Sequence, residues 1–188
     1  MKKIAIFASG TGSNFQAIID AVKVGTLNTE IALLVCDKPG AAVIEKAELA
    51  SIRTFVFNPK QYASKADFEQ QIIEQLQQHH VDYIILAGYM RLIGSTLLEA
   101  FANRIINIHP SLLPAFPGKD AIGQAFRAGV KITGITIHYV DEGMDTGPII
   151  AQRAIELTEE DLLEDVERKI HEIEHVFYPE TLQKLLGK

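Results

Sequence analysis

The chain has 188 residues, 47% of them hydrophobic, with a formal net charge of −6 and a single cysteine. That length suits one domain with one good core, and because Lys and Arg are interleaved with Asp and Glu there is no basic stripe, which excludes nucleic acid and an anionic membrane as bulk-charge partners. Cys36 alone makes neither an internal disulfide nor a cysteine-based zinc cluster, so a reducing cytoplasm is the expected compartment.

Two lysines precede a short apolar run at the start, but the run stops at Ser9-Gly10. No stretch approaches the roughly 20 apolar residues that cross a bilayer, so no membrane association is expected. Residues 3–8 read as a strand ending in a glycine-rich turn, and residues 14–24 carry helical spacing through Phe15, Ile18, Ile19 and Val22. The unit repeats with a strand at 30–36, a helix at 41–50 and a short strand at 54–57. A helical pattern at 67–78 on Phe68, Ile72, Ile73 and Leu76 is followed by core strands at 83–87 and 104–108.

The later third alternates apolar and polar residues over 132–140, passes through a turn-rich segment at 141–148 and enters a further strand at 149–155, a pair expected to run antiparallel. A helical face of Leu162, Val166, Ile170, Ile173 and Phe177 lies within 159–186 and is expected to break or kink at Pro179. With no linker and no internal repeat, residues 1–188 read as a single α/β domain. Its expected fold is Rossmann-like: a mostly parallel twisted sheet, helices on both faces and an antiparallel C-terminal strand pair.

Three segments carry candidate chemistry. The first βα turn, SGTGSN at residues 9–14, places glycines, hydroxyls and an amide where backbone N–H groups at a helix N-terminus attract phosphate. It is nearly the dinucleotide fingerprint, with Asp37 standing after the second strand as a ribose-binding acid would, but Phe15 replaces the third glycine. A tight turn is the plainer alternative.

The second segment, NIHPSLLP at residues 107–114, ends a strand with Asn107 and His109 on one face while Ile106 and Ile108 hold the other. Ligands bind at strand carboxyl ends in open α/β sheets. A carboxamide N–H and an imidazole can receive charge that develops on a carbonyl oxygen, and imidazole also moves protons near neutral pH. Two hydrogen-bonded buried polar groups would give the same pattern.

The third, HYVDEGMDTGP at residues 138–148, gathers Asp141, Glu142 and Asp145. One of these acids beside His109 would favour imidazolium and fix its protons, but spacing does not choose which. The spacing fits no calcium or zinc pattern, and an acidic solvated turn is the bland alternative.

Other features are weaker singly. The segment 88–92 follows a core strand and its backbone could line the same crevice, although Met90 and Leu92 also read as core. His79 and His80 read as partners of a helix C-terminus. His171 and His175 have i, i+4 metal-ligand spacing without an evident third ligand, and Cys36 reads as a small buried hydrophobe.

Taken together, SGTGSN, NIHPSLLP and HYVDEGMDTGP, in this order and spacing from Lys3 to about Pro179, resemble the phosphoribosylglycinamide formyltransferases, folate-dependent enzymes of purine synthesis. The resemblance implies formyl transfer from 10-formyltetrahydrofolate, as co-substrate, to the amine of glycinamide ribonucleotide, with no metal. It implies that Asn107 and His109 surround the formyl carbonyl with Asp145 as the partner of His109. It also implies that Gly12, Ser13 and Asn14 hold the phosphate region and that Glu174 reaches the ribose. Met90, Arg91, Leu92 and Ile93 with Asp141, Glu142, Gly143, Met144 and Asp145 would enclose the pterin, largely through backbone. Lys65 stands near where some members carry a folate-contacting arginine, and Ala115 where others have a basic residue. A homodimer is compatible with the resemblance.

Methionyl-tRNA formyltransferase shares a similar centre but adds an RNA-binding domain, and the acidic balance here suits tRNA poorly. Formyl-tetrahydrofolate hydrolase would use water as acceptor and usually carries an N-terminal regulatory domain. From a different class, a nicotinamide-dependent reductase or a non-catalytic nucleotide-binding module would explain the first unit alone.

Overall fold

In the computed structural model, which describes residues 1–187, β1 (Lys2–Ala8), α1 (Ser13–Lys23), β2 (Thr29–Cys36), α2 (Ala42–Leu49) and β3 (Thr54–Val56) form the first half. A single 3-10 turn (Pro59–Gln61) leads to α3 (Lys65–Gln78), β4 (Tyr83–Leu86), α4 (Ser95–Ala100), β5 (Ile105–His109) and α5 (Ala121–Ala128). The chain continues through β6 (Ile132–Tyr139), β7 (Ile149–Glu156) and α6 (Leu163–Leu186). The strands make one sheet in the order β3-β2-β1-β4-β5-β6-β7. β1 to β5 are parallel, β6 pairs antiparallel with β5, and β7 pairs antiparallel with β6. The order reverses between β1 and β4, which opens a crevice at their carboxyl ends.

Period-two alternation assigns the two cores. Ile4, Ile6 and Ala8 pack with Phe15 and Ile18 of α1, Val43 of α2 and Ile170 and Tyr178 of α6. Ala5 and Phe7 pack on the opposite face with Phe68, Ile72 and Leu76 of α3 and Leu97 of α4. Burial on both faces explains the unbroken apolar strands.

Three helices depart from the sequence reading. Helices α4 and α5 lie where no element was expected. They are six and eight residues long, too short for an apolar period to stand out. The start of α4 is capped from a distance: buried Glu69 accepts from the Gly94 N–H at 2.6 Å and the Leu97 N–H at 3.2 Å. In β6, whose residues alternate apolar and polar, Thr136 and His138 are buried along with Ile135 and Ile137. The segment after β5 covers the Thr136 face, with Thr136 Oγ1 donating to the Ser111 carbonyl and accepting from the Leu113 N–H.

Finally, α6 does not break at Pro179 but runs on to Leu186. Proline removes one helix hydrogen bond. Here Phe177, Tyr178, Pro179 and Leu182 are all buried, and the Tyr178 hydroxyl lies 2.9 Å from the Leu86 carbonyl and 3.2 Å from that of Ile106, pinning the helix across the sheet.

Candidate active site

The carboxyl end of β5 presents the central pair. Asn107 and His109 point away from the core that holds Ile106 and Ile108, and antiparallel pairing sets Asn107 opposite His138 and His109 opposite Thr136. His138 is 2% exposed. Burial, the largest influence, holds its pKa below the ordinary histidine value, so the ring is neutral near pH 7. Its Nδ1 lies 2.9 Å from the Tyr139 carbonyl and so carries the proton. The Nε2 lone pair then accepts from the Asn107 amide at 3.2 Å. That contact orients the carboxamide and leaves its second N–H for another acceptor.

Asp145 reaches the same place from the loop between β6 and β7. It adopts a left-handed backbone, φ 57°, a conformation that is uncommon outside glycine and gathers at functional sites. Its Oδ2 accepts from the Gly118 N–H at 2.8 Å and lies 3.4 Å from His109 Nδ1. His109 Nε2 lies 2.9 Å from the Phe116 carbonyl. Both nitrogens of this 5%-exposed ring therefore face oxygen, and each can act as a donor when it carries a proton. The three side chains singled out from sequence do converge, and of the three acids the nearest to His109 is Asp145. Asp141 instead closes its own loop, its Oδ1 accepting from the Gly143 N–H at 3.0 Å and the Thr146 hydroxyl at 2.7 Å. Glu142 is exposed.

Across the crevice, Gly12 is the left-handed N-cap of α1, φ 71°, with no side-chain cap and no acid in the first turn. The first N–H groups of α1 are thus open to an anion. Glycine is required there, because a Cβ at Gly12 would lie 2.5 Å from Val43 Cγ2 and 2.8 Å from Val43 Cβ. Lys46 Nζ lies 3.4 Å from the Gly12 carbonyl. Asn14 donates to buried Glu174 at 3.2 Å, while its own Oδ1 is buried without a partner. Burial raises the Glu174 pKa, against the nearby His171 charge, which lowers it. His175 is held low by burial and then by His171 and Lys46. His171 and His175 gain no third ligand: among the described residues, no group of three His, Cys, Asp or Glu side chains is placed to hold a metal ion.

Met90 and Leu92, read from sequence as possible core, are exposed, at 79% and 56%, and Met144 from the opposite loop is 49% exposed. The Ile93 side chain is buried against α3 and α4, so only its backbone faces the crevice. Lys65 opens α3, and its Cε lies 3.0 Å from where a Gly94 Cβ would stand, at the far end of this segment. Asp37, the would-be ribose acid, has both oxygens engaged, by Ser9 Oγ at 2.5 Å and Arg91 Nε at 2.7 Å. A dinucleotide ribose finds no free carboxylate there. Sequence reasoning quoted the segment that begins at His138 without giving that residue a role; only the β5–β6 register reveals it. Lys46 was likewise missed.

Among known proteins, the chain is 65% identical over 187 residues to the phosphoribosylglycinamide formyltransferase of Bacillus subtilis, covering 100% of this chain and 96% of that one. It is 40% identical over 181 residues to the trifunctional purine biosynthetic protein adenosine-3 of Gallus gallus, matching 96% of this chain but 18% of that protein. The crystal structure of glycinamide ribonucleotide transformylase 1 from Geobacillus kaustophilus superposes with a TM-score of 0.97 at 60% identity, covering 100% of both chains. No helix among the described residues is long and apolar enough to cross a membrane. With residues 2–182 matching the formyl transferase family model, the chain belongs to the formyl transferase family.

Proposed function

We propose that this protein transfers the formyl group of 10-formyltetrahydrofolate to the amine of glycinamide ribonucleotide, giving formylglycinamide ribonucleotide and tetrahydrofolate. The observation that carries the reading is the convergence of Asn107, His109 and Asp145 at one strand end. Similarity to formyltransferases named for this substrate supports it.

The neutral amine attacks the formyl carbon, and the carbonyl oxygen becomes an oxyanion. The free N–H of Asn107 and the Nε2–H of His109 receive that charge, the latter exchanging the Phe116 carbonyl for the formyl oxygen. Asp145 keeps the imidazolium paired on its other side. The former amine loses a proton, N10 of the folate gains one, and the carbon–N10 bond breaks. Each oxyanion donor of this kind contributes ~100 to 1,000-fold in turnover. The open N–H groups of Gly12, Ser13 and Asn14 suit the nucleotide phosphate, and buried Glu174 and the unpartnered Asn14 Oδ1 suit ribose hydroxyls. Met90, Arg91, Leu92 and Ile93, with Lys65, and Asp141, Glu142, Gly143 and Met144 would enclose the pterin. The same reading takes the two small molecules as partners and the cytoplasm as compartment, with no metal required; sedimentation tests for a homodimer.

The decisive assay mixes purified protein with 10-formyltetrahydrofolate and follows deformylation with and without glycinamide ribonucleotide. Acceptor-dependent loss of the formyl group is expected, abolished or reduced at least ~100-fold in His109→Ala and Asp145→Ala. Loss without acceptor would make the protein a hydrolase, and near-wild-type turnover in either folded variant would remove the assigned roles.

A further inference from the structure

We propose that Asp37 is a positioning residue that clamps segment 88–92 in the shape that receives the folate, acting through Ser9 and Arg91. This rests on the folate site described above. The clamp joins three strand ends: Ser9 follows β1, Asp37 follows β2, and segment 88–92 follows β4. The Asp37 side chain is 7% exposed, and each of its oxygens has a different task. Oδ1 takes the only proton of the Ser9 hydroxyl, which leaves the Ser9 oxygen to accept the Met90 N–H at 2.9 Å. Oδ2 takes Arg91 Nε at 2.7 Å. The hydrogen bonds made by Met90 and Arg91 therefore both lead back to one carboxylate.

Apolar burial does not do this work. The large side chains of Met90 and Leu92 lie mostly in solvent, so their burial gives the segment no fixed shape in the free protein. Its ends are fastened, by the Ser9 N–H on the Gly88 carbonyl at 3.0 Å, by the Tyr89 ring edge-on to Phe7 with centroids 5.3 Å apart, and by buried Ile93. Between those fastenings the backbone that would hydrogen-bond the pterin is set by the carboxylate relay. Burial and then the Asp37 charge push the Tyr89 phenol up. A ligand read through backbone groups tolerates little displacement, and a shift of about 1 Å already costs heavily in binding or rate.

The test measures KM for each substrate and kcat in Asp37→Asn and Ser9→Ala, with a thermal midpoint for each and direct fluorescence titration with a non-transferable folate analogue. Asp37→Asn keeps the shape and removes the charge; Ser9→Ala cuts the Met90 link and leaves the Arg91 pair. The expected result is a rise on the order of tenfold in folate KM and analogue Kd for Asp37→Asn, from loss of a charge-assisted bond, and a smaller rise of about threefold for Ser9→Ala. The nucleotide KM stays at its wild-type value. If Asp37→Asn does not fold, the same split in Ser9→Ala carries the test. Equal rises in both KM values, or an unchanged folate KM in folded variants, overturns the clamp. Absence of acceptor-dependent transfer in the wild type overturns instead the reading of the site on which it rests.

Discussion

The close approach of the first βα turn to α2 makes Gly12→Ala the most quantitative check on the phosphate side of the site. Two terms add. A left-handed backbone costs an L-residue roughly 1–2 kcal/mol, and forcing an extra methyl into a packed contact typically costs about 1–3 kcal/mol. The contact is close: the new Cβ would meet Val43 Cγ2 at 2.5 Å and Val43 Cβ at 2.8 Å. Val43 is fully buried, and its N–H is bonded to the Gly10 carbonyl at 3.1 Å, so it has little room to retreat. The expected destabilisation is about 2–5 kcal/mol by urea unfolding, the sum of those two terms. A double-mutant cycle separates them. Val43→Ala removes Cγ2 but not Cβ, so Gly12→Ala/Val43→Ala should recover only part of the steric term, with a coupling on the order of 1 kcal/mol. The nucleotide KM should rise in Gly12→Ala, because the N–H groups of α1 move with the turn. A Gly12→Ala protein as stable as wild type, or single and double variants that simply add, would refute the steric argument.

Two further outcomes follow from buried polar groups. The folded-state pKa of His138 lies below the unfolded value of about 6.5, so below that value the unfolded chain binds more protons and stability falls with falling pH. A pH series of unfolding free energies should show wild type losing up to about 1.4 kcal/mol per unit on account of this one residue. His138→Gln should flatten that loss, although His175 acts in the same direction, and parallel curves would show that His138 is not the group involved. Glu69→Ala should destabilise by about 1–3 kcal/mol, because it leaves the buried Leu97 N–H and the half-buried Gly94 N–H at the start of α4 unpaired. A change below about 0.5 kcal/mol would mean that α4 is held by apolar packing alone.

The sequence by itself determined the sheet, because strands buried on both faces must be apolar throughout and helices must carry a 3.6-residue stripe. It also determined that Asn107 and His109 share a face, since strand geometry leaves no other choice at a spacing of two, and it quoted the turn that supplies Asp145. It did not reveal α4 and α5, whose few residues carry no period and whose ends are held by contacts such as Glu69 on Gly94. The proline in α6 read locally as a break, yet the buried surface around Tyr178 outweighs one missing hydrogen bond. Spacing left open which acid faces His109; the resemblance named Asp145, and the fold sets it 3.4 Å from the ring. Only the tertiary structure decided that neutral His138 orients Asn107, and that Asp37 serves Ser9 and Arg91 instead of a ribose. Each of these pairs is separated by 28 to 54 residues or lies across antiparallel strands. Local periodicity carries no information at that range; it is the register of β5 on β6 and the meeting of three strand ends that bring the partners within reach.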